Sequence, residues 1–261
     1  MVRRPLGNHH DGPDTLLVTP DTAQTVPVTE ETGNVRELIT GARFVLFDFD
    51  GPVCRLFAGL SAEGVAKDLV SWLERQGLKE LLTQSERVHP DPHVVLHAVN
   101  KRHPRSDLVD ELEELLTQHE LKAVDSAYPT PWADPLIRTW NAVGIHLAVA
   151  TNNSPRTVTE YLHGRGLLEC FTPHVYGRTN DLDLLKPNPH CLNRALRAMG
   201  AHPADALMIG DTPSDFEAAR RAGIPFLGYA RNEFKETLLR RAGADSVVHS
   251  LRPLLDLVRQ L

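Results

Sequence analysis

Residues 43–53 read Arg-Phe-Val-Leu-Phe-Asp-Phe-Asp-Gly-Pro-Val, an apolar run that ends in two carboxylates two positions apart. If the run is a strand, alternate side chains share a face, so Asp48 and Asp50 point one way while Phe47 and Phe49 point the other. Two like charges held this close cost free energy unless a cation lies between them or one is protonated. Two later apolar runs also end in polar groups. Leu147-Ala148-Val149-Ala150 is followed by Thr151-Asn152-Asn153, and Leu207-Met208-Ile209 by Gly210-Asp211-Thr212-Pro213-Ser214-Asp215. Between them Leu185-Lys186-Pro187-Asn188-Pro189 opens a helix, so the set comprises acids, a hydroxyl and a lysine. Singly, each has a structural role: Thr151 and Asn153 suit a helix cap before Pro155, and Asp211 and Asp215 a turn and a first helical turn. Lys186 by itself suits a solvated surface.

The elements that must position these groups follow from periodicity. Residues 1–34 are rich in Pro, Thr, Asp and Gly, show no sustained apolar period and read as a disordered tail. A short helix at 35–40 and a strand at 43–48 open the ordered part. Between 54 and 132 the pattern is helical with no strand: Ser61–Gln76 carries Val65, Leu69, Trp72 and Leu73 on one face, and Pro92–Arg102 and Leu108–Val124 follow. Tyr128-Pro129-Thr130-Pro131 ends this helical group as a stiff extended segment. From 133 onward helices and strands alternate. Strands are expected at 145–150, 174–176, 206–209, 225–229 and 246–249, with helices at 135–143, 155–165, 189–199, 214–222 and 233–241 and one more at the C-terminus. Such alternation implies a parallel sheet covered on both faces, with ligands bound beyond the strand C-terminal ends.

The 261 residues, 41% hydrophobic and 24% charged, have ordinary globular composition, enough for one or two domains. The 28 basic and 34 acidic side chains give a formal charge of −6, which argues against a nucleic-acid partner. Cys54, Cys170 and Cys191 have no CxxC spacing, so neither a disulfide framework nor a zinc site is expected, and a reducing cytoplasm fits. No apolar run reaches the roughly 20 residues of a membrane span, and no membrane partner is expected.

The ordered set resembles the haloacid dehalogenase superfamily, whose four motifs are DxDGx[TV], a Ser or Thr after the second strand, a Lys, and an acid pair such as GDxxxD. Here they read Asp48-Phe49-Asp50-Gly51-Pro52-Val53, Thr151, Lys186 and Gly210-Asp211-Thr212-Pro213-Ser214-Asp215, in that order, over about residues 40–255. The resemblance implies an α/β fold, a Rossmann-like doubly wound parallel sheet core with a small helical C1-type cap inserted after the first strand. The core would comprise 35–53 and 133–261, and the cap 54–132. It further implies a Mg²⁺-dependent phosphomonoester hydrolase acting on a small phosphorylated metabolite. By the family's pattern Asp48 is the nucleophile that forms an aspartyl-phosphate, and Asp50 the general acid and then base. Thr151, Asn152 and Lys186 would bind the phosphoryl oxygens, and Lys186 would also neutralise Asp48. Asp48, the Asp50 carbonyl, Asp211 and Asp215 would hold the metal.

Asp50 speaks against dehalogenation, because a departing halide needs no proton. A phosphohexomutase, or a catalytically weak regulatory or binding protein on the same fold, are the alternatives. The expected protein is a cytoplasmic monomer or weak homodimer. Its first motif departs from the family in continuing Gly51-Pro52-Val53-Cys54-Arg55, with a proline that fixes φ and lacks an N–H near the phosphate site. Cys54 is expected to be a small buried apolar residue. Arg55 and the histidines His89, His93, His97 and His103 are candidates to touch substrate from the cap, although most of them are expected to be simply solvated.

Overall fold

The computed structural model of the chain describes residues 28–261. Helix α1 (Val28–Gly41) leads into β1 (Phe44–Phe47), β2 (Cys54–Arg55), α2 (Ala62–Arg75), α3 (Gln84–Arg87), α4 (Pro92–Arg102), α5 (Asp107–Val124) and β3 (Tyr128–Pro129). There follow α6 (Ala133–Ala142), β4 (His146–Ala150), α7 (Pro155–Gly164), α8 (Leu168–Phe171), β5 (Val175–Tyr176), α9 (His190–Met199) and β6 (Ala206–Gly210). The chain ends with α10 (Pro213–Ala222), β7 (Phe226–Tyr229), α11 (Glu233–Ala242), β8 (Val247–Val248) and α12 (Arg252–Val258).

Six strands form one parallel sheet in the order β5-β4-β1-β6-β7-β8. The chain winds outward from β1 in one direction and then, from β6, in the other, so a crevice opens beyond the C-terminal ends of β1 and β6, where the connections leave in opposite directions. β1 is the centre of the sheet, with Phe44–Phe47 in register with His146–Val149 on one side and Ala206–Ile209 on the other. Its alternation decides the two faces. Val45 and Phe47 pack with Ile137, Trp140, Tyr161 and Leu254 under α1, α6, α7 and α12, while Leu46 packs with Leu192, Leu196 and Ala219 under α9 and α10. Burial on both faces is why these strands read as continuous apolar runs.

Helices α2, α4 and α5 bury Val65, Leu69, Leu73, Val95, Leu96, Val99, Leu112 and Leu116 in a separate apolar cluster. The stretch between β5 and α9 contributes Leu182 to it.

Two expectations are corrected. The tail expected over 1–34 falls outside the described residues only for 1–27, because α1 begins at Val28. Val35 and Ile39 are buried in the core, and a helix anchored there extends toward its N-terminus at little further cost, since nucleation is the expensive step. The segment 54–132 was also expected to hold no strand. β2 and β3 nevertheless pair antiparallel, Cys54 with Pro129 and Arg55 with Tyr128, so that the chain leaves and rejoins the core at one place. A two-residue ladder is too short to show a period-2 pattern.

Candidate active site

At the crevice, Asp48 directly follows β1, and its N–H donates to the Ile209 carbonyl at 2.8 Å, carrying the ladder with β6 one residue further. Phe47 and Phe49 are fully buried, edge-on to Trp140 and Tyr161 respectively. Their burial leaves Asp48 and Asp50 lining one cavity of about 500 Å³. The chain then turns at Gly51, where φ is +134° and a Cβ would lie 2.4 Å from Asp211 Cγ, so a side chain is excluded both by conformation and by space. The turn is fastened on both sides. Gly51 N–H donates to the Cys54 carbonyl at 2.6 Å, and the buried Thr130 hydroxyl donates to the Gly51 carbonyl at 2.5 Å. Leu56 N–H donates to Asp50 Oδ1 at 2.9 Å.

Lys186 supplies the cation that the acids require. Its ammonium donates to Asp48 Oδ1 at 2.8 Å, to Asp215 Oδ1 at 2.5 Å and to the Ala150 carbonyl at 3.0 Å. Burial alone would push Lys186 down, but the charges of Asp215 and Asp48 outweigh it and hold the amine protonated, well above its ordinary range. The carboxylates respond in kind. Burial raises Asp48, with Lys186 opposing. Asp50 is pushed up to about 6 by burial, against the Leu56 N–H and with the Asp48 charge. Asp211 is pushed to about 7 by burial, with Lys235 opposing and Asp215 and Asp48 adding to the rise.

The two acids after β6 do different work. Asp215 Oδ2 accepts from the N–H groups of Asp211 and Thr212 at 3.1 and 3.0 Å and from the Thr212 hydroxyl at 2.7 Å, and Thr212 reciprocates in a capping box that starts α10. With Oδ1 on Lys186 and Oδ2 on the loop, Asp215 holds both in place beside Asp48 and Asp211. Asp211 has Oδ2 at 2.8 Å from Lys235 Nζ, while its buried Oδ1 finds no hydrogen-bond partner among the described residues. An orphaned buried carboxylate oxygen, with ligand atoms of Asp48, Asp211 and Asp215 all within 4.8 Å of one another, fits a hard divalent cation, which prefers oxygen donors. The Asp50 side chain is not part of that cluster; its expected contribution is through the main chain.

Thr151 continues β4 by donating its N–H to the Tyr176 carbonyl at 2.9 Å, and its hydroxyl is 3.1 Å from Asn153 Oδ1. The Asn152 side chain, expected near phosphate, instead grips the Lys186 backbone: Oδ1 accepts from Lys186 N–H at 2.8 Å and Nδ2 donates to its carbonyl at 3.2 Å. Asp48, Asp50, Thr151, Asn152, Lys186, Asp211 and Asp215 all line the same cavity, so the residues assigned a catalytic, phosphate or metal role meet there, whereas Cys54, Arg55, His89, His97 and His103 are not part of that wall.

The residues that sequence reasoning did not assign lie around the loop 151–154. Glu120 of α5 is completely buried and accepts from Asn153 Nδ2 at 3.1 Å, Ser154 N–H at 2.9 Å and the Thr157 hydroxyl at 3.3 Å. Arg178, also buried, donates to Glu120 at 2.8 Å, to Glu113 at 2.8 Å, to the Thr117 hydroxyl at 2.9 Å and to the Asn152 carbonyl at 3.0 Å. His93, from the first turn of α4, lines the cavity with Nδ1 at 3.1 Å from Asp91 Oδ1 and Nε2 at 3.2 Å from the Asn152 carbonyl. Burial lowers its pKa, yet the hydrogen bond and charge of Asp91 raise it on balance. A signal for Glu120 was present: it stands four residues after Leu116 and three before Ala123, on the buried stripe of α5. Cys54 is buried and its thiol is pushed well up by burial, in keeping with a small apolar residue.

A strand-switch crevice with a lysine-bridged acid pair defines the class, an α/β protein whose chemistry is carried by carboxylates at strand ends. The family is given by comparison: residues 42–223 match the model of the haloacid dehalogenase-like hydrolases, and the chain belongs to that family. By that family it is a hydrolase. It is 27% identical over 196 residues to a phosphoglycolate phosphatase of Rhodospirillum rubrum, covering 72% of this chain and 80% of the relative. It is 32% identical over 124 residues to the pyrophosphatase PpaX of Halalkalibacterium halodurans, covering 47% and 56%. Its fold matches that of a predicted phosphatase from Clostridium acetobutylicum with a TM-score of 0.61 at 20% identity, covering 84% of this chain and 98% of the other.

Proposed function

We propose that the chain hydrolyses a phosphomonoester of a small metabolite with the help of a magnesium ion, through a phosphorylated Asp48. An Asp48 oxygen attacks phosphorus, the bond from phosphorus to the ester oxygen breaks, and Asp50 gives that oxygen its proton. In the second half Asp50 takes a proton from the water that attacks the aspartyl-phosphate, which releases phosphate and restores Asp48. Lys186 remains protonated throughout and neutralises Asp48 and the transferring group, while the Thr151 hydroxyl and the Asn152 N–H receive phosphoryl oxygens. The contact that carries this reading is the Lys186 ammonium held between Asp48 and Asp215. Asp48 and Asp211, with the Asp50 carbonyl, would hold the ion, which when bound offsets charge on the phosphoryl oxygens.

Residues 54–132 serve as a lid over a core made of 35–53 and 133–261. The lid has its own apolar cluster, and it brings Phe57, Pro90 and His93 to the cavity wall. The names of relatives favour a small phosphorylated acid as substrate. Phosphate release from p-nitrophenyl phosphate tests the reading. Release is expected to require magnesium, to stop on chelation, and to be absent from Asp48→Asn; turnover that survives either treatment overturns it.

A further inference from the structure

Beside the catalytic cavity lies a second one of about 550 Å³, and the two share Asp50, Phe57, Ala62, Pro90 and Arg231 as a common wall. The second is lined by Phe57–Gly59 and Ser61–Glu63 at the entry to α2, together with Arg55 from β2 and Arg231 from the loop after β7. Both guanidinium charges act on the Tyr229 phenol and that of Arg231 also acts on Asp50, so the two converge on the rim of the active site. The lysines that line the catalytic cavity are spent, Lys186 on Asp48 and Asp215 and Lys235 on Asp211. Neither Arg55 nor Arg231 has a hydrogen-bond acceptor or a carboxylate partner among the described residues. The one acid among residues 57–63, Glu63, is paired with Lys67 at 2.7 Å.

Resting on the phosphatase reading above, we infer that Arg55 and Arg231 form a subsite for a second oxyanion, so that the substrate carries a carboxylate or a second phosphoryl group at the end remote from the scissile phosphate. A guanidinium presents two parallel N–H donors matched to either oxyanion. A substrate spanning the two cavities would set its phosphoryl group against Lys186 and its far end against the arginines. The position of Arg231 on the shared wall makes it the hinge between the two subsites.

Equilibrium binding tests this without requiring turnover. The Asp48→Asn protein, with magnesium, is titrated calorimetrically with two matched pairs: phosphoglycolate against 2-hydroxyethyl phosphate for the carboxylate, and glycerol 1,3-bisphosphate against glycerol 3-phosphate for the phosphoryl group. The acidic member of at least one pair is expected to bind about tenfold tighter or more, the size of a charge-assisted hydrogen bond. Which pair shows the preference identifies the oxyanion. In Asp48→Asn carrying also Arg55→Gln and Arg231→Gln the ratio within that pair is expected to fall toward one, and because it is a ratio from a single preparation, loss of folded protein cancels. Equal affinity within both pairs, no binding of any member, or a preference that survives the two glutamines overturns the subsite. Aryl phosphate turnover by the unaltered chain is scored separately: its absence with the preference intact strikes the phosphatase reading and leaves the subsite standing.

Discussion

Asp48 and Asp50 stand two residues apart in one cavity, and the contacts around them differ. Asp48 is held by Lys186, whereas Asp50 accepts from the Leu56 N–H and has no cation bonded to it. Changing Asp48 to Asn removes the attacking oxygen, so no phosphoenzyme forms with any leaving group. Changing Asp50 to Asn removes the proton donor and base while its main-chain carbonyl survives. With an aryl phosphate, whose leaving group needs little protonation, Asp50→Asn is expected to release about one equivalent of phenol per enzyme and then slow by about 10²- to 10⁴-fold, the usual contribution of a general base. Rapid quench with magnesium present checks this: a burst from Asp48→Asn, or unimpaired turnover of alkyl phosphates by Asp50→Asn, reverses the assigned roles. At this scale the site was largely legible from sequence, because each of these groups follows a recognisable apolar run and its chemistry depends on residue type. Arg178 was not legible, and His93 could not be told from the other histidines of the cap, because what they touch depends on how α4 and α5 cross the loop 151–154. Arg55 was named from sequence only among several candidate contacts from the cap, because the fold alone brings it to one cavity with Arg231.

Among the elements, α5 is the one that couples the helical insert to the phosphate loop. Glu120 and Arg178 form a buried pair that also satisfies Asn152, Asn153 and Ser154. A buried pair is costly to break from one side, because the partner is left charged in a place without water. Arg178→Met is therefore expected to lower unfolding free energy by about 3–5 kcal/mol, measured by urea denaturation, and Arg178→Met with Glu120→Leu to recover most of it. A single variant as stable as the parent would show the pair to be open to water. The same carboxylate predicts a pH dependence. Burial raises Glu120, but the charge and hydrogen bonds of Arg178 outweigh it, so its pKa in the folded chain lies below that of the unfolded chain. Glu120 thus contributes stability that is fully present above the ordinary glutamate value of about 4.3 and is lost as the pH falls through the folded value. Glu120→Gln is expected to flatten the acid limb of the stability curve below about pH 4, and an unchanged limb would assign that dependence to other carboxylates. Helices of this kind were read from sequence to within about two residues, for instance α4 at Pro92–Arg102, because an amphipathic stripe survives in one dimension. The paired residues of β2 and β3 and the start of α1 were not, since each is fixed by a tertiary partner and not by local period.

For the molecule as a whole, the antiparallel pairing of β2 with β3 means that a long insertion departs and returns through neighbouring residues, Arg55 opposite Tyr128. Opposed residues in such a ladder lie about 5 Å apart at Cα, so a hairpin loop of about two to five residues can join them without moving the core. The return crossing is tight: Trp132 takes a left-handed φ of 72° at the start of α6, with the Arg252 guanidinium 5.3 Å above its ring. The insert keeps its own apolar cluster, so its removal leaves most of the core packing in place. Arg178 then loses Glu113 and Glu120, but it also gains access to water, so no unpaired charge remains buried. Replacing residues 58–128 by a short Gly-Ser linker is therefore expected to leave a folded core that hydrolyses aryl phosphate slowly with magnesium. Selectivity among small phosphate esters is expected to collapse, because the wall formed by Phe57–Glu63, Pro90 and His93 is largely gone. Steady-state kinetics over a panel of phosphate esters reads this out. Selectivity kept by the shortened chain would remove the lid from 54–132, and failure to fold would show that the α5 contacts with the loop 151–154 belong to the core itself.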